Sequence, residues 1–194
     1  DARLGSENSV TFFSLGKETS ISQERYDMTS VYIGAEGNAD FILGDDPEKS
    51  VLTPGDVLIV PGGTLCGVQS ETGAVYTEII IKKEIAMNKM IKSGEVFKLK
   101  ELIQYEEGSI ANLDVVSNDT MKFVLMAFDE GTGLQPHRAP GNAIIFALEG
   151  QATIGYEGKD YTLSAGENFR FDKDGLHSVT ADGRFKMALL LVLE

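Results

Sequence analysis

The sequence has no tryptophan, one cysteine, two histidines and five prolines among 194 residues. Cys66 has no second cysteine to pair with, so we predict a fold without an intrachain disulfide and a cytoplasmic location. Apolar runs are short, and a run such as Ala188–Leu193 is far below the roughly 20 residues of a membrane-spanning helix. We therefore expect no membrane partner. Position 1 is Asp1, and the sequence leaves open whether a leader preceded it.

Basic residues are also few. The chain carries 17 lysines and arginines against 30 aspartates and glutamates, a formal net charge of −13. Scattered negative charge argues against a nucleic-acid partner and against an anionic membrane surface. With 42% hydrophobic and 24% charged residues the composition is that of a globular protein, and 21 glycines predict many tight turns between short strands.

An internal duplication organises the chain. Val31–Gly37 has the same pattern as Ile144–Gly150, and the shared Glu-Gly pair lies 113 residues apart in the two copies. Leu52–Gly55 matches Leu163–Gly166 at an offset of 111, so a hairpin loop between the two matches absorbs the difference of two residues. We therefore predict two tandem domains, at residues 8–88 and 95–194.

Both copies have the pattern of β-structure. Short runs of branched and aromatic residues alternate with Gly, Asp and Asn turn signals, which is typical of a sandwich or barrel. Two helices are predicted between the copies, at Lys82–Ile91 and at Val96–Tyr105, the second because Leu99, Leu102 and Ile103 recur at three- and four-residue spacing. The expected fold is all-β with a short helical linker.

Two spacing motifs connect these barrels to a known superfamily. Gly55-x5-Pro61-x-Gly63-x2-Cys66 resembles the second cupin motif, G-x5-P-x-G-x2-H, except at its last position. The same frame in the second copy ends at His177. The chain thus resembles a bicupin, and its second half resembles short bacterial cupins whose first motif reads His-x-Ala-Pro. This resemblance implies two jelly-roll barrels.

The first cupin motif, G-x5-H-x-H-x3-E-x6-G, places the family's metal-binding positions at His137, Ala139 and Ala143. Of the family's metal ligands, only His137 and His177 are therefore kept, and alanines cannot coordinate a metal. We expect both histidines to line one small-molecule pocket in the second barrel, together with Ala139 and Ala143. Cys66 is expected at the matching place in the first barrel, where the offset also puts Glu24.

Several functions agree with this residue set. The favoured interpretation is binding of a small molecule with an apolar part, hydrogen-bonded by the two histidines. An alternative is a metal-dependent dioxygenase, isomerase or lyase in which His137 and His177 weakly hold Fe, Mn, Zn or Ni, with Asp172 as a candidate further ligand. Another is a metal-free isomerase or epimerase that uses one histidine as acid and base. Whether the protein is an enzyme, and whether it is a monomer or a homodimer, stays open.

Overall fold

A computed structural model describes residues 2–3, 9–45, 48–81 and 86–193. Its first ten strands are β1 (Ala2–Arg3), β2 (Ser9–Leu15), β3 (Thr19–Arg25), β4 (Thr29–Gly37), β5 (Ala39–Leu43), β6 (Glu48–Leu52), β7 (Asp56–Val60), β8 (Leu65–Ser70), β9 (Ala74–Ile81) and β10 (Ala86–Met87). The other ten are β11 (Val96–Lys98), β12 (Ile110–Ser117), β13 (Met121–Phe128), β14 (Gly133–Arg138), β15 (Gly141–Glu149), β16 (Gln151–Tyr156), β17 (Lys159–Ser164), β18 (Asn168–Phe171), β19 (Leu176–Ala181) and β20 (Phe185–Leu193). The fold is almost entirely β, as the sequence predicts.

The chain forms two compact units, Asp1–Glu84 with Lys89–Lys98 and Ile85–Asn88 with Leu99–Glu194. The first unit combines a six-stranded sheet, ordered β1-β2-β9-β4-β7-β11, with a four-stranded sheet, ordered β3-β8-β5-β6. The second repeats this plan with sheets ordered β10-β12-β13-β20-β15-β18 and β14-β19-β16-β17. Each unit is therefore a jelly-roll-like barrel, which confirms the predicted fold class.

Each barrel encloses its own apolar core between its two sheets. In the first barrel Tyr32 and Tyr76 of the large sheet pack with Phe41 and Val68 of the small sheet. The second barrel has a corresponding core, which includes Phe171 of the large sheet. Alternate residues of β7 (Leu58, Val60) and of β15 (Ala143, Ile145, Ala147) face these cores, as the period of two along a strand requires.

The strand registers repeat along with the strands. A β-bulge interrupts the β3–β8 pairing between Ile21 and Glu24, and a bulge interrupts β14–β19 between Leu134 and His137, 113 residues later. After the bulges Glu24 pairs with Cys66, and His137 pairs with His177. A bulge adds one residue to one strand and re-aims the side chains that follow it. Positions 24 and 66 of the first barrel are therefore equivalent to positions 137 and 177 of the second.

The backbone conformation explains the glycine of the shared Glu-Gly pair. Gly37 and Gly150 both have a positive φ, of 65° and 76°. A Cβ at Gly37 would collide with the carbonyl of Gly73, and a Cβ at Gly150 would collide with the carbonyl of Arg184. Glycine alone meets both demands, so the pair marks the same turn in each barrel.

The predicted helical linker is wrong. Residues 82–85 lie outside the described part of the chain, and the rest of the first predicted helix contains strand β10, which pairs with β12. In the second, Val96–Lys98 pairs with β7, and only Leu99–Glu101 form one turn of 3-10 helix. The helical spacing reflects this turn, because it buries Leu99 and brings Ile103 into the core. Long-range strand pairing outweighs local helix propensity here.

No helix in the described ranges is long and apolar enough to cross a membrane.

Candidate functional site

The two histidines of the chain lie side by side in the second barrel. His137 on β14 and His177 on β19 are direct strand partners, so their side chains leave the sheet on the same face. Their ring centroids are 4.3 Å apart, and the ring planes are inclined by 52°. The sequence prediction placed both residues in one site, and the strand register brings them together.

Backbone hydrogen bonds fix the protonation of both rings. The Nδ1 atom of His137 lies 2.8 Å from the carbonyl oxygen of Gln135, and Nδ1 of His177 lies 2.9 Å from that of Gly175. A carbonyl oxygen only accepts hydrogen bonds, so each Nδ1 carries the proton and donates it. In the neutral rings, both Nε2 atoms are therefore unprotonated acceptors. An imidazole that ligates a metal through Nε2 has the same arrangement.

The two imidazoles differ in their exposure to solvent. His137 is exposed, whereas His177 is buried, with 7% of its surface accessible. Burial lowers the pKa of His177, the hydrogen bond to Gly175 opposes this shift, and the neighbouring His137 lowers the pKa further. At neutral pH we therefore expect His177 to be uncharged and its Nε2 lone pair to be available.

An aromatic cluster covers the inner side of the histidine pair. The ring of Phe171 stacks on His177 at 4.1 Å with an angle of 25°. Tyr156, the strand partner of His177 on β16, contacts Phe169 and Phe171 at centroid distances of 5.7 and 5.4 Å. A Cβ at Gly175 would come within 2.7 Å of the Tyr156 ring, so the chain packs tightly there. The site is a pair of imidazoles set against an aromatic wall.

Sequence reasoning did not identify this wall. Phe169 and Phe171 alternate with Arg170 along β18, a period of two that signals one shared face. Tyr156 carries no motif, and only its pairing with His177 places it there.

The two predicted alanines lie at different depths. Ala143 on β15 is fully buried in the core and pairs with Phe171. Ala139 follows the end of β14, is half-buried, and accepts a hydrogen bond from the Asp174 amide at 3.0 Å. Neither side chain can donate or accept a hydrogen bond.

Asp172 is held away from the histidine pair. Its carboxylate is exposed and contacts the Arg170 guanidinium at 2.8 Å. Among the described residues no group of three or more His, Cys, Asp and Glu side chains could hold a metal ion. The residues present thus fit a metal only in part, as two imidazole ligands of the correct tautomer.

Cys66 belongs to the first barrel and lines a separate cavity there. It is half-buried next to Tyr32, and burial raises the pKa of its thiol to about 11. The thiol is therefore protonated at neutral pH and is a weak nucleophile. Its neighbour across the strands is Glu24, whose carboxylate accepts a hydrogen bond from the Tyr26 hydroxyl at 2.6 Å.

Comparisons with known proteins agree with this fold. Residues 124–193 match the Cupin_2 family model, described as a cupin domain. A Cupin 2 conserved barrel domain protein from Leptotrichia buccalis superposes with a TM-score of 0.84 at 26% identity, over 96% of this chain and 84% of its own. No curated protein matches the sequence closely enough to count as a relative.

Two further solved structures share the fold. Salicylate 1,2-dioxygenase from Pseudoaminobacter salicylatoxidans, in adducts with gentisate, has a TM-score of 0.71 at 11% identity, over 96% of this chain and 68% of its own. A cupin superfamily protein from Desulfitobacterium hafniense covers 56% of this chain with all of its own, at 20% identity and a TM-score of 0.53. With two jelly-roll barrels of the same strand order, the chain has the arrangement of a bicupin, and its second barrel matches a cupin domain.

Proposed function

We propose that this bicupin binds a small organic molecule at the histidine pair of its second barrel. One observation carries the proposal: His137 and His177 both donate their Nδ1 protons to backbone carbonyls. Two acceptor nitrogens, on rings 4.3 Å apart, are left for a ligand. An unprotonated Nε2 can only accept a hydrogen bond, so a ligand that supplies donors is favoured.

The surroundings define the ligand further. Tyr156 is half-buried and gives aromatic surface next to its strand partner His177, whereas Phe171 stacks on His177 from the buried side and, like Ala143, adds no polar group. A ligand with a hydroxyl donor on an apolar or aromatic body matches both parts of the site. A fully charged, polar ligand would leave the aromatic wall unused.

The proposal is tested with phenol and anisole, which differ in one hydroxyl hydrogen. In protein labelled with 15N on its imidazoles, phenol is expected to shift the Nε2 resonances of His137 and His177, and anisole is not. His177→Ala should abolish the phenol response at the remaining histidine. Thr180→Ala, an exposed residue on the same strand, is the matched control and should keep the response. Equal shifts with both probes, or none with either, would contradict the proposal.

A second candidate is a metal-dependent enzyme, favoured by the same Nδ1 hydrogen bonds, which orient imidazoles for metal binding. His137 and His177 would hold Fe, Mn, Zn or Ni, and the metal would polarise a bound substrate. With two protein ligands the affinity should be well below that of a four-ligand zinc site. Elemental analysis of protein purified without an affinity tag tests this: stoichiometric metal that is lost in His137→Ala and in His177→Ala would favour the enzyme.

We also propose a cytoplasmic protein, either monomeric or homodimeric, without nucleic-acid or membrane partners. Its net charge of −13 and its single cysteine support this proposal. Light scattering determines the oligomeric state, and fractionation of cells that express the protein determines its location.

A further inference from the structure

The first barrel contains a cavity of about 230 Å³ among residues of its two sheets. Five of its twelve lining residues are aromatic. Phe13 stacks on Tyr76 at 5.1 Å, Tyr32 packs against Phe41 at 4.6 Å, and Tyr76 meets Phe41 edge-on at 5.6 Å. Tyr26, which is 47% exposed, is a fifth aromatic lining residue. The rings thus surround a chamber that is open to solvent near Tyr26.

One carboxylate lies in this aromatic chamber. Glu78 on β9 is half-buried and is the strand partner of Tyr32 on β4. Burial and, to a smaller extent, the negative charge of Glu78 raise the pKa of the Tyr32 phenol, and Cys66 is a neutral thiol beside them. Among the described residues no lysine or arginine lines the cavity, and none forms an ion pair with Glu78. The cavity therefore carries one negative charge and otherwise neutral groups.

The duplication shows that this residue set is specific to the first barrel. Strand pairing makes Leu189 the counterpart of Glu78, and Ile145 the counterpart of Tyr32. Phe13, Phe41 and Tyr76 likewise correspond to Met126, Ile154 and Met187. At these five positions the second barrel has only leucine, isoleucine and methionine side chains. A jelly roll of this design thus does not need an acid or aromatic rings at these positions in order to fold.

At the end near residues 66 and 177 the difference is reversed: the second barrel has aromatic side chains where the first barrel has aliphatic ones. At the positions of Tyr156, Phe169 and Phe171, the first barrel has Leu43, Leu58 and Val60. Val60 is too short to stack over Cys66 as Phe171 stacks over His177. The aromatic cluster of the second barrel therefore has no counterpart at this end of the first barrel, where the equivalent residues are buried and aliphatic.

We propose that this cavity binds a small organic ammonium cation, with the charged nitrogen at Glu78 and its apolar part against the rings. A half-buried carboxylate without a cationic partner favours a ligand that neutralises it. The faces of tyrosine and phenylalanine attract cations through their ring quadrupoles, which adds to the attraction of the carboxylate. Carboxylate and phosphate ligands are excluded by repulsion from Glu78. Because ligand pockets for drug-sized molecules measure about 300–1,000 Å³, the ligand is smaller than these.

The test uses three probes of the same shape: benzylammonium, benzyl alcohol and benzoate. The protein has six tyrosines and no tryptophan, and three of the tyrosines line the cavity, so intrinsic tyrosine fluorescence reports binding directly. Calorimetry gives the dissociation constants. We expect benzylammonium to bind most tightly, benzyl alcohol at least tenfold more weakly, and benzoate not at all.

Two variants that each remove one negative charge distinguish binding at Glu78 from attraction by the overall negative charge of the protein. Glu78→Gln should weaken benzylammonium binding at least tenfold and leave benzyl alcohol within twofold. Glu71→Gln removes an exposed carboxylate of the same barrel and should change neither constant. Circular dichroism checks that both variants are folded, and Glu78→Leu, with the residue type of the second barrel, provides a further variant. Benzoate binding as tightly as benzylammonium, no binding of any probe, or equal effects of both glutamine variants would overturn the proposal.

Discussion

Replacing Phe171 by valine, the residue at the equivalent position 60, should both destabilise the second barrel and change the histidine pair. Phe171 is 1% exposed and contacts His177, Tyr156 and Phe169. A buried Phe→Ala change costs about 3–5 kcal/mol, and valine retains part of the lost contact, so we expect a loss of about 2–3 kcal/mol. Water that enters beside His177 should also raise the pKa of His177 toward its ordinary value.

Urea-induced unfolding, followed by circular dichroism, measures the free energy, and an NMR titration of the His177 ring measures the pKa. Phe12→Val is the matched control, because Phe12 is 54% exposed and its replacement should cost less than about 0.5 kcal/mol. The reasoning is refuted if Phe171→Val costs no more than the control, or if the pKa of His177 does not rise.

Three other perturbations have definite outcomes. Gly150→Ala should lower the melting temperature well beyond Gly158→Ala, because both residues have a positive φ but only Gly150 faces a carbonyl, that of Arg184; equal losses would contradict this. Because the pKa of His177 is lowered in the fold, the unfolded chain binds the proton first, so unfolding free energy is lost as pH falls below about 6.5. His177→Phe should reduce this pH dependence of the unfolding free energy, and an unchanged pH profile would contradict the prediction. At pH 8 the Cys66 thiol, with its pKa of about 11, should react with iodoacetamide on the order of 100-fold more slowly than glutathione does, and comparable rates would disprove its burial.

The sequence predicts the barrel architecture well because its strongest signals are backbone requirements. The glycines at 37 and 150 occupy turns that no other residue tolerates, so they keep the two copies in register through large changes in side chains. The linker prediction is wrong because the pairing of Val96 with Leu58 joins residues far apart in sequence, and a local window contains no sign of it.

The residues of the candidate site are less predictable from the sequence than the barrel architecture. Motif spacing identifies positions 137 and 177, but it contains no information about the volume around them. How much of this volume is filled, by Phe171 in one barrel and by Val60 in the other, depends on how side chains from several strands pack together. For the same reason, a motif that ends in Cys66 gives no indication of a chamber with Glu78 inside it.

The bulge that occurs in both barrels gives the same backbone geometry, although the side chains that follow it differ. The extra residue of each bulge directs the next side chain toward its partner on the neighbouring strand. Glu24 and Cys66 therefore occupy backbone positions equivalent to those of the two histidines. This pair of positions is suited to protein engineering, because Glu24→His with Cys66→His would place an imidazole pair in the first barrel. The two copies on one chain thus carry different side chains at equivalent positions on the same course of the main chain.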